Sequence, residues 1–311
     1  MSDLVMLACS AMRCRFEVVL CGDDPVRLRA AGEEAVNEIL ETEKLLSRFL
    51  PGSDISRVNS QAYRVPVRVD PRTFAVLKHA AALSEETKGA FDPTVGPLMA
   101  RWGFREEPVS AAPPSAEIEE ALRLVGMRHL ELDEENFTVR FLRPGMSLDM
   151  GAFGKGVAVD RAVRILREAG IKSAFIHGGT STAYGLGSPP NTEGWSTAVR
   201  HPLRPDEQLY TFTLKNLALS VSAPHGRTVV LNGRTYGHVV DPRSGRPVES
   251  ALLAAATAES AADAEAFSTA ALVLNSSCLE ELASRRPELE LLVVRRQNNS
   301  VDRTDIRVFK K

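Results

Sequence analysis

Apolar and polar residues alternate most cleanly over 14–21, where Phe16, Val18 and Leu20 fall on one side and predict a strand. The period then changes. Over 25–47 Val36, Ile39, Leu40 and Leu46 form much of a helical stripe, with Asp23 or Asp24 placed to cap it and Pro25 suited to its first turn. "SRFLPGSDISRVNSQ" (47–61) breaks the pattern and predicts a polar loop. A second helix is expected over 71–88, ending at Gly89, and a third running to Gly126 after a Pro- and Ala-rich connector at 105–117. Residues 129–149 predict a hairpin turning near Glu135–Asn136. A helix over 157–169 follows, with Val159, Val163, Leu166 and Ala169 as its apolar face, then a strand at "KSAFIHGG". Strands dominate 195–260, with turns at "HPLRP", "LNGRTYG" and "DPRSGRP". Helices at 261–272 and 277–285 precede a closing hairpin that turns at Asn298–Asn299. Strands joined largely by tight turns and mixed with helices predict an α+β fold, largely antiparallel sheet with flanking helices. No boundary divides the chain, so 1–311 is read as one domain.

Composition narrows the function. The chain has 311 residues, 44% hydrophobic, with a net charge of −2. No basic field is present, which argues against nucleic acid as a partner. No apolar run is long enough to span a bilayer. The N-terminus, "MSDLVMLACSAMRCRF", lacks the layout of a secretory signal, so a cytoplasmic protein is expected. Cys9, Cys14, Cys21 and Cys278 show no metal spacing and predict reduced, mostly buried thiols.

The chemistry concentrates in a few stretches. "LDMGAFGKGVAVD" (148–160) sets Gly151, Gly154, Gly156 and Lys155 before a helix. It is neither a Walker A loop nor GxGxxG. Glycines would let backbone amides approach an anion, and a lysine and a helix N-terminus would add charge. A glycine-rich turn with a solvated lysine suits the same residues. "GAFDPTVGPLMARWGF" (89–104) is a fixed loop or a cap on the core, with Trp102 expected in the core. "TYGHVVDPRSGRPV" (235–248) puts His238 at the start of a short strand, Asp241 three residues on, and His238 is a candidate base. In "ADAEAFSTAALVL" (262–274), Glu265 and Thr269 are four apart, so a carboxylate and a hydroxyl share one helical face. Hard oxygen ligands suit Mg²⁺. A capped amphipathic helix with exposed polar residues is the alternative.

Taken in order with "SRFLPGSDISRVN" (47–59) and "IHGGTSTAYGLG" (176–187), these stretches resemble the ApbE family, the FAD:protein FMN transferases. The resemblance runs from residue 11 to about residue 275. It implies an enzyme that binds FAD and Mg²⁺. Such an enzyme moves FMN onto a Ser or Thr hydroxyl of an acceptor protein and releases AMP. Some members instead hydrolyse FAD to FMN and AMP, and a silent FAD-binding protein is a third reading. The resemblance implies that the Ala152 carbonyl, Glu265 and Thr269 hold the metal. Lys155 and Asp149 would belong to the FAD-contacting loop, with Asn59, Asp92 and Thr94 near the flavin end. Met12, Phe49, Gly178 and Gly179 complete the expected cofactor set, and His238 would assist proton removal.

This chain departs from the family pattern at several of those positions. Met-Gly-Thr reads Met12-Arg13-Cys14, and Gly-Gly-Asp reads Gly178-Gly179-Thr180. The metal-binding aspartate becomes Glu265, with the same charge and one more methylene. Asp263 is expected to point elsewhere. Phe49 stands where a tyrosine is usual and can still stack on a flavin.

Overall fold

The computed structural model describes residues 3–105, 109, 111–297 and 303–310. Its strands are β1 (Asp3–Ala11), β2 (Cys14–Gly22), β3 (Val67–Arg68), β4 (Leu130–Asp133), β5 (Thr138–Phe141), β6 (Ser173–Gly178), β7 (Thr182–Leu186) and β8 (Trp195–His201). They continue as β9 (Arg204–Leu214), β10 (Leu217–Ser222), β11 (Thr228–Leu231), β12 (Arg234–Gly237), β13 (Ala251–Ala258), β14 (Leu291–Arg296) and β15 (Thr304–Phe309). The helices are α1 (Pro25–Leu46), α2 (Asp54–Gln61), α3 (Pro71–Glu86), α4 (Gly96–Arg101), α5 (Ser115–Leu122), α6 (Gly154–Glu168), α7 (Ala261–Val273) and α8 (Ser276–Arg285).

An eight-stranded sheet of order β1-β2-β6-β7-β10-β13-β14-β15 is the frame, and every pairing in it is antiparallel. The alternation in β2 works as expected. Phe16, Val18 and Leu20 are fully buried and pack with Ala174 and Ile176 of β6 beneath α1 and α6. The expected face of α6 is buried through Val159, Val163 and Leu166. Farther along the sheet, α7 lies on β10 and β13. All eight residues of β13 are buried. Its other face, with Leu219 and Leu292, is covered by Val199, Phe212 and Leu214 of the β8–β9 hairpin. Thus one sheet is closed by helices on one side and by a β-ribbon on the other.

Most expected elements are present, but several bounds change. The polar loop expected over 47–61 contains α2, which Ser53 caps by accepting from the Ser56 N–H. Asp24 caps α1, not Asp23. The third helix ends at Leu122, short of Gly126. The helix expected from 157 begins at Gly154, so Lys155 lies inside its first turn. β1, β3 and β7 form in stretches where the pattern predicts no strand. The four thiols are free and each is only half-buried. Trp102 is in the core, its ring N–H donating to the Gly245 carbonyl. The closing hairpin forms from β14 and β15, but its expected turn at Asn298–Asn299 lies outside the described residues, as does part of the 105–117 connector. No helix among the described residues is long and apolar enough to cross a membrane.

Candidate functional site

The site forms where the β1–β2 turn, the end of α1 and the start of α6 meet. The turn is tight, and both central residues, Met12 and Arg13, have positive φ (51° and 62°). Mirror-type turns of this kind match strand twist but favour Asn and Gly. Glu43 of α1 holds the turn by accepting from the Met12 N–H at 2.6 Å. Beside it lies a cavity of about 130 Å³ whose walls include Met12, Arg13, Arg48, Phe49, Asp149 and Lys155. Phe49 is 45% exposed, with the Arg48 guanidinium 4.0 Å and the Arg13 guanidinium 5.5 Å from its ring centre. Asp149 pairs with Arg48 at 3.2 Å and accepts from the Gly151 N–H.

Behind the cavity wall is a buried ion pair. Lys155 Nζ donates to Glu265 Oε1 at 2.8 Å, and Glu265 is only 3% exposed. Thr182 of β7 donates to the same oxygen at 2.5 Å, and the Gly156 N–H donates to Oε2 at 2.8 Å. Burial alone would lower the lysine's pKa, but the charge and hydrogen bond of Glu265, with a smaller push from Cys14, together outweigh it and the value is raised. Thr269, one turn beyond Glu265, lies 3.3 Å from the Ser222 hydroxyl. Helix α7 is therefore not the amphipathic alternative: Glu265, Asp263 and Ser268 are all buried. Asp263 does point elsewhere, to His79 at 2.8 Å and Arg286 at 3.0 Å.

The glycines of 151–156 do different work from that expected. Their amides do not form an open cradle, because Gly151 N–H is taken by Asp149, Gly154 N–H by the Met150 carbonyl and Gly156 N–H by Glu265. Gly156 is the third residue of α6, where a helix N–H has no carbonyl partner within its own helix, and Glu265 takes it up. Carboxylate, carbonyl and hydroxyl from Glu265, Ala152 and Thr269 are hard oxygen donors that fit a magnesium ion. Among the described residues no three His, Cys, Asp or Glu side chains converge as a metal site.

His238 lies just past the end of β12, not at the start of a strand. Its Nδ1 is 3.1 Å from the Pro224 carbonyl. A carbonyl only accepts, so Nδ1 carries the hydrogen and Nε2 is the basic nitrogen. Burial lowers its pKa, and the Lys155 charge adds to that.

Not every expected residue reaches the cavity. Asp92 and Thr94 form a buried knot. Asp92 accepts from the Thr94 N–H and hydroxyl, the Ser84 hydroxyl and the Met127 N–H, while Thr94 accepts from the Gly126 N–H. Asn59 clasps Leu148 in both directions, at 2.7 and 3.0 Å, and so pins the loop rather than lining the cavity. Gly178 packs on Phe16, and the Gly179 N–H donates to the Arg15 carbonyl beside Cys14. Thr182, Arg13 and Arg48 are members of the site that the sequence reading missed. Thr182 carried a signal in its position just after the glycine pair.

The fold is α+β, an antiparallel sheet with flanking helices, and a lysine paired with a buried carboxylate lines its cavity. A sequence model of the ApbE family matches residues 12–293, and the chain belongs to that family. It is 25% identical over 307 residues to the FAD:protein FMN transferase of Escherichia coli K12, spanning 96% of this chain and 86% of that one. It is 28% identical over 261 residues to the protein of the same name from Treponema pallidum, spanning 79% and 72%. Its fold is similar to that of the ApbE protein of Thermotoga maritima, with a TM-score of 0.84, 28% identity and 94% of each chain covered. The flavin transferase ApbE of Vibrio cholerae shares the fold with a TM-score of 0.83 at 21% identity, covering 99% of this chain and 98% of that one.

Proposed function

We propose that this chain is an FAD:protein FMN transferase that uses Mg²⁺. The observation that carries the reading is the buried Lys155–Glu265 ion pair, whose lysine also lines the cavity beside Met12, Arg13 and Phe49. The site draws on residues from 12 to 269, so the whole chain is read as one functional domain.

Phe49, flanked by Arg13 and Arg48, offers a flat face to a ring of the dinucleotide. Lys155 supplies positive charge where a pyrophosphate would lie. Glu265, Thr269 and the Ala152 carbonyl would hold Mg²⁺, which neutralises pyrophosphate charge and orients the leaving AMP. The acceptor's Ser or Thr oxygen attacks the FMN phosphorus, and the bond from that phosphorus to the bridging oxygen breaks. AMP departs with the bridging oxygen. Nε2 of His238 takes the hydroxyl proton, which a neutral imidazole held below its usual range can do near pH 7.

The test is chromatography of FAD incubated with protein and Mg²⁺, with and without an acceptor bearing a Ser/Thr flavinylation motif. Acceptor-dependent AMP, with flavin remaining on the denatured acceptor, is the expected result. AMP and free FMN without acceptor would make the chain a pyrophosphatase. Unconsumed but bound FAD would make it a silent binder.

A further inference from the structure

Glu265 already has three donors from its own chain: Lys155 and Thr182 on Oε1, and the Gly156 N–H on Oε2. A carboxylate offers about four lone-pair positions, so one remains, on Oε2. Two of the three donors are fixed, Thr182 by the sheet and Gly156 by the helix backbone. Lys155 is the movable one, a point charge on a flexible four-carbon stem. Its side chain is 20% exposed and forms part of the cavity wall as well as the ion pair.

Resting on the function proposed above, we propose that Lys155 and the divalent cation are alternative partners of Glu265. With no nucleotide bound, the lysine neutralises the buried carboxylate. When a diphosphate enters the cavity, the ammonium turns to the phosphates and the carboxylate takes the metal. Neither half of the exchange is favourable alone. A metal added beside the lysine would crowd two cations onto one buried carboxylate, where charges are weakly screened. A lysine withdrawn without a metal would leave a buried anion unpaired. Metal and nucleotide therefore bind with positive cooperativity, and by linkage the coupling is the same from either side. Lys155 ties the two events together.

Calorimetric titration of MgCl₂ tests this in the wild type and in Lys155→Met, both without nucleotide. The variant lacks the competing cation, so Mg²⁺ is expected to bind it about tenfold more tightly, a coupling of ordinary size. Equal or weaker Mg²⁺ binding by the variant overturns the exchange. So does Mg²⁺ binding that survives Glu265→Gln added to Lys155→Met. Because the single variant leaves a buried anion unpaired and can lose its fold, the wild type supplies a second arm. Saturating FAD should tighten Mg²⁺ binding at least about fivefold, and an unchanged affinity overturns the proposal. AMP release is followed in the same samples. Linkage without AMP release sinks the transfer reading and leaves the exchange standing, whereas AMP release without linkage does the reverse.

Discussion

A Cβ built on Gly156 would lie 2.4 Å from the carbonyl oxygen of Ala261. The starts of α6 and α7 touch there, backbone to backbone. The same contact lets the Gly156 N–H reach Glu265. Gly156→Ala must separate the helices, since the obstacle is main chain and not a pliable side chain. A loss of about 3 kcal/mol or more is expected, the range of severe core strain. Denaturant unfolding with an unchanged midpoint would refute the close contact.

Asp160 sits under the same junction and accepts from Ser260 Oγ and the Ala261 and Ala262 amides. Burial pushes its carboxyl up to about 6 from an ordinary value of 3.8. The folded chain therefore holds a proton on Asp160 through a pH range where the unfolded chain has lost it. Its contribution to stability is complete below about pH 4 and is lost as the pH rises to about 6, roughly 3 kcal/mol in all. Asp160→Asn should remove this component from a plot of unfolding free energy against pH. An identical slope in wild type and variant between pH 4 and 6 would contradict the assignment.

Arg13 occupies a left-handed backbone position that glycine adopts without cost. Arg13→Gly should raise stability by about 1 kcal/mol. It should also weaken FAD binding, because the guanidinium beside Phe49 is gone. Thermal melts and flavin-fluorescence titration read the two effects separately, and a lower melting temperature would argue against strain at the turn.

For His238, burial lowers the imidazole's pKa below the usual histidine value, so the neutral form prevails near pH 7. AMP release should therefore be flat from about pH 7 to 8 and fall on the acid side, with its midpoint below the usual histidine value. His238→Ala should lower kcat by about 10²-fold or more. A variant with full kcat would remove it as the base.

Metal removal offers a further check. Chelation with EDTA should stop AMP release, and added Mg²⁺ should restore it. In Glu265→Ala no Mg²⁺ concentration should restore it, because the only carboxylate of the donor set is gone. Turnover that persists in EDTA would exclude a metal role.

What the sequence discloses depends on whether its signal is local. Helix α7 and the shared face of Glu265 and Thr269 follow from spacing alone. That Lys155 would be the partner of Glu265 does not, because they meet only when α6 and α7 cross. Strand β1 escaped notice because it is an edge strand: of its residues only Val5 and Ala11 are buried, and Leu4 and Met6 stand 61% and 60% exposed. Helix α2 was hidden by its brevity and by the Pro51-Gly52 turn before it, although Ser53 is an ordinary cap. α6 starts three residues before the expected 157, with no side-chain cap from Phe153 and two glycines in its first turn to mark the start. Asp92 and Thr94 look functional in a dense polar loop, yet only the fold reveals that their oxygens are already committed to the chain.

The pairing of Glu265 with residue 156 also sets an order of events during synthesis. The two lie 109 positions apart, and β13, which flanks β10, lies in the same late segment. A nascent chain that has emerged only through α6 has its hairpin turn, its arginines and Lys155, but no carboxylate to answer the lysine and no α7 to close the sheet. Loop closure over such a separation is slow relative to local pairing. The ion pair at the heart of the site is thus completed only after about five-sixths of the chain has been made.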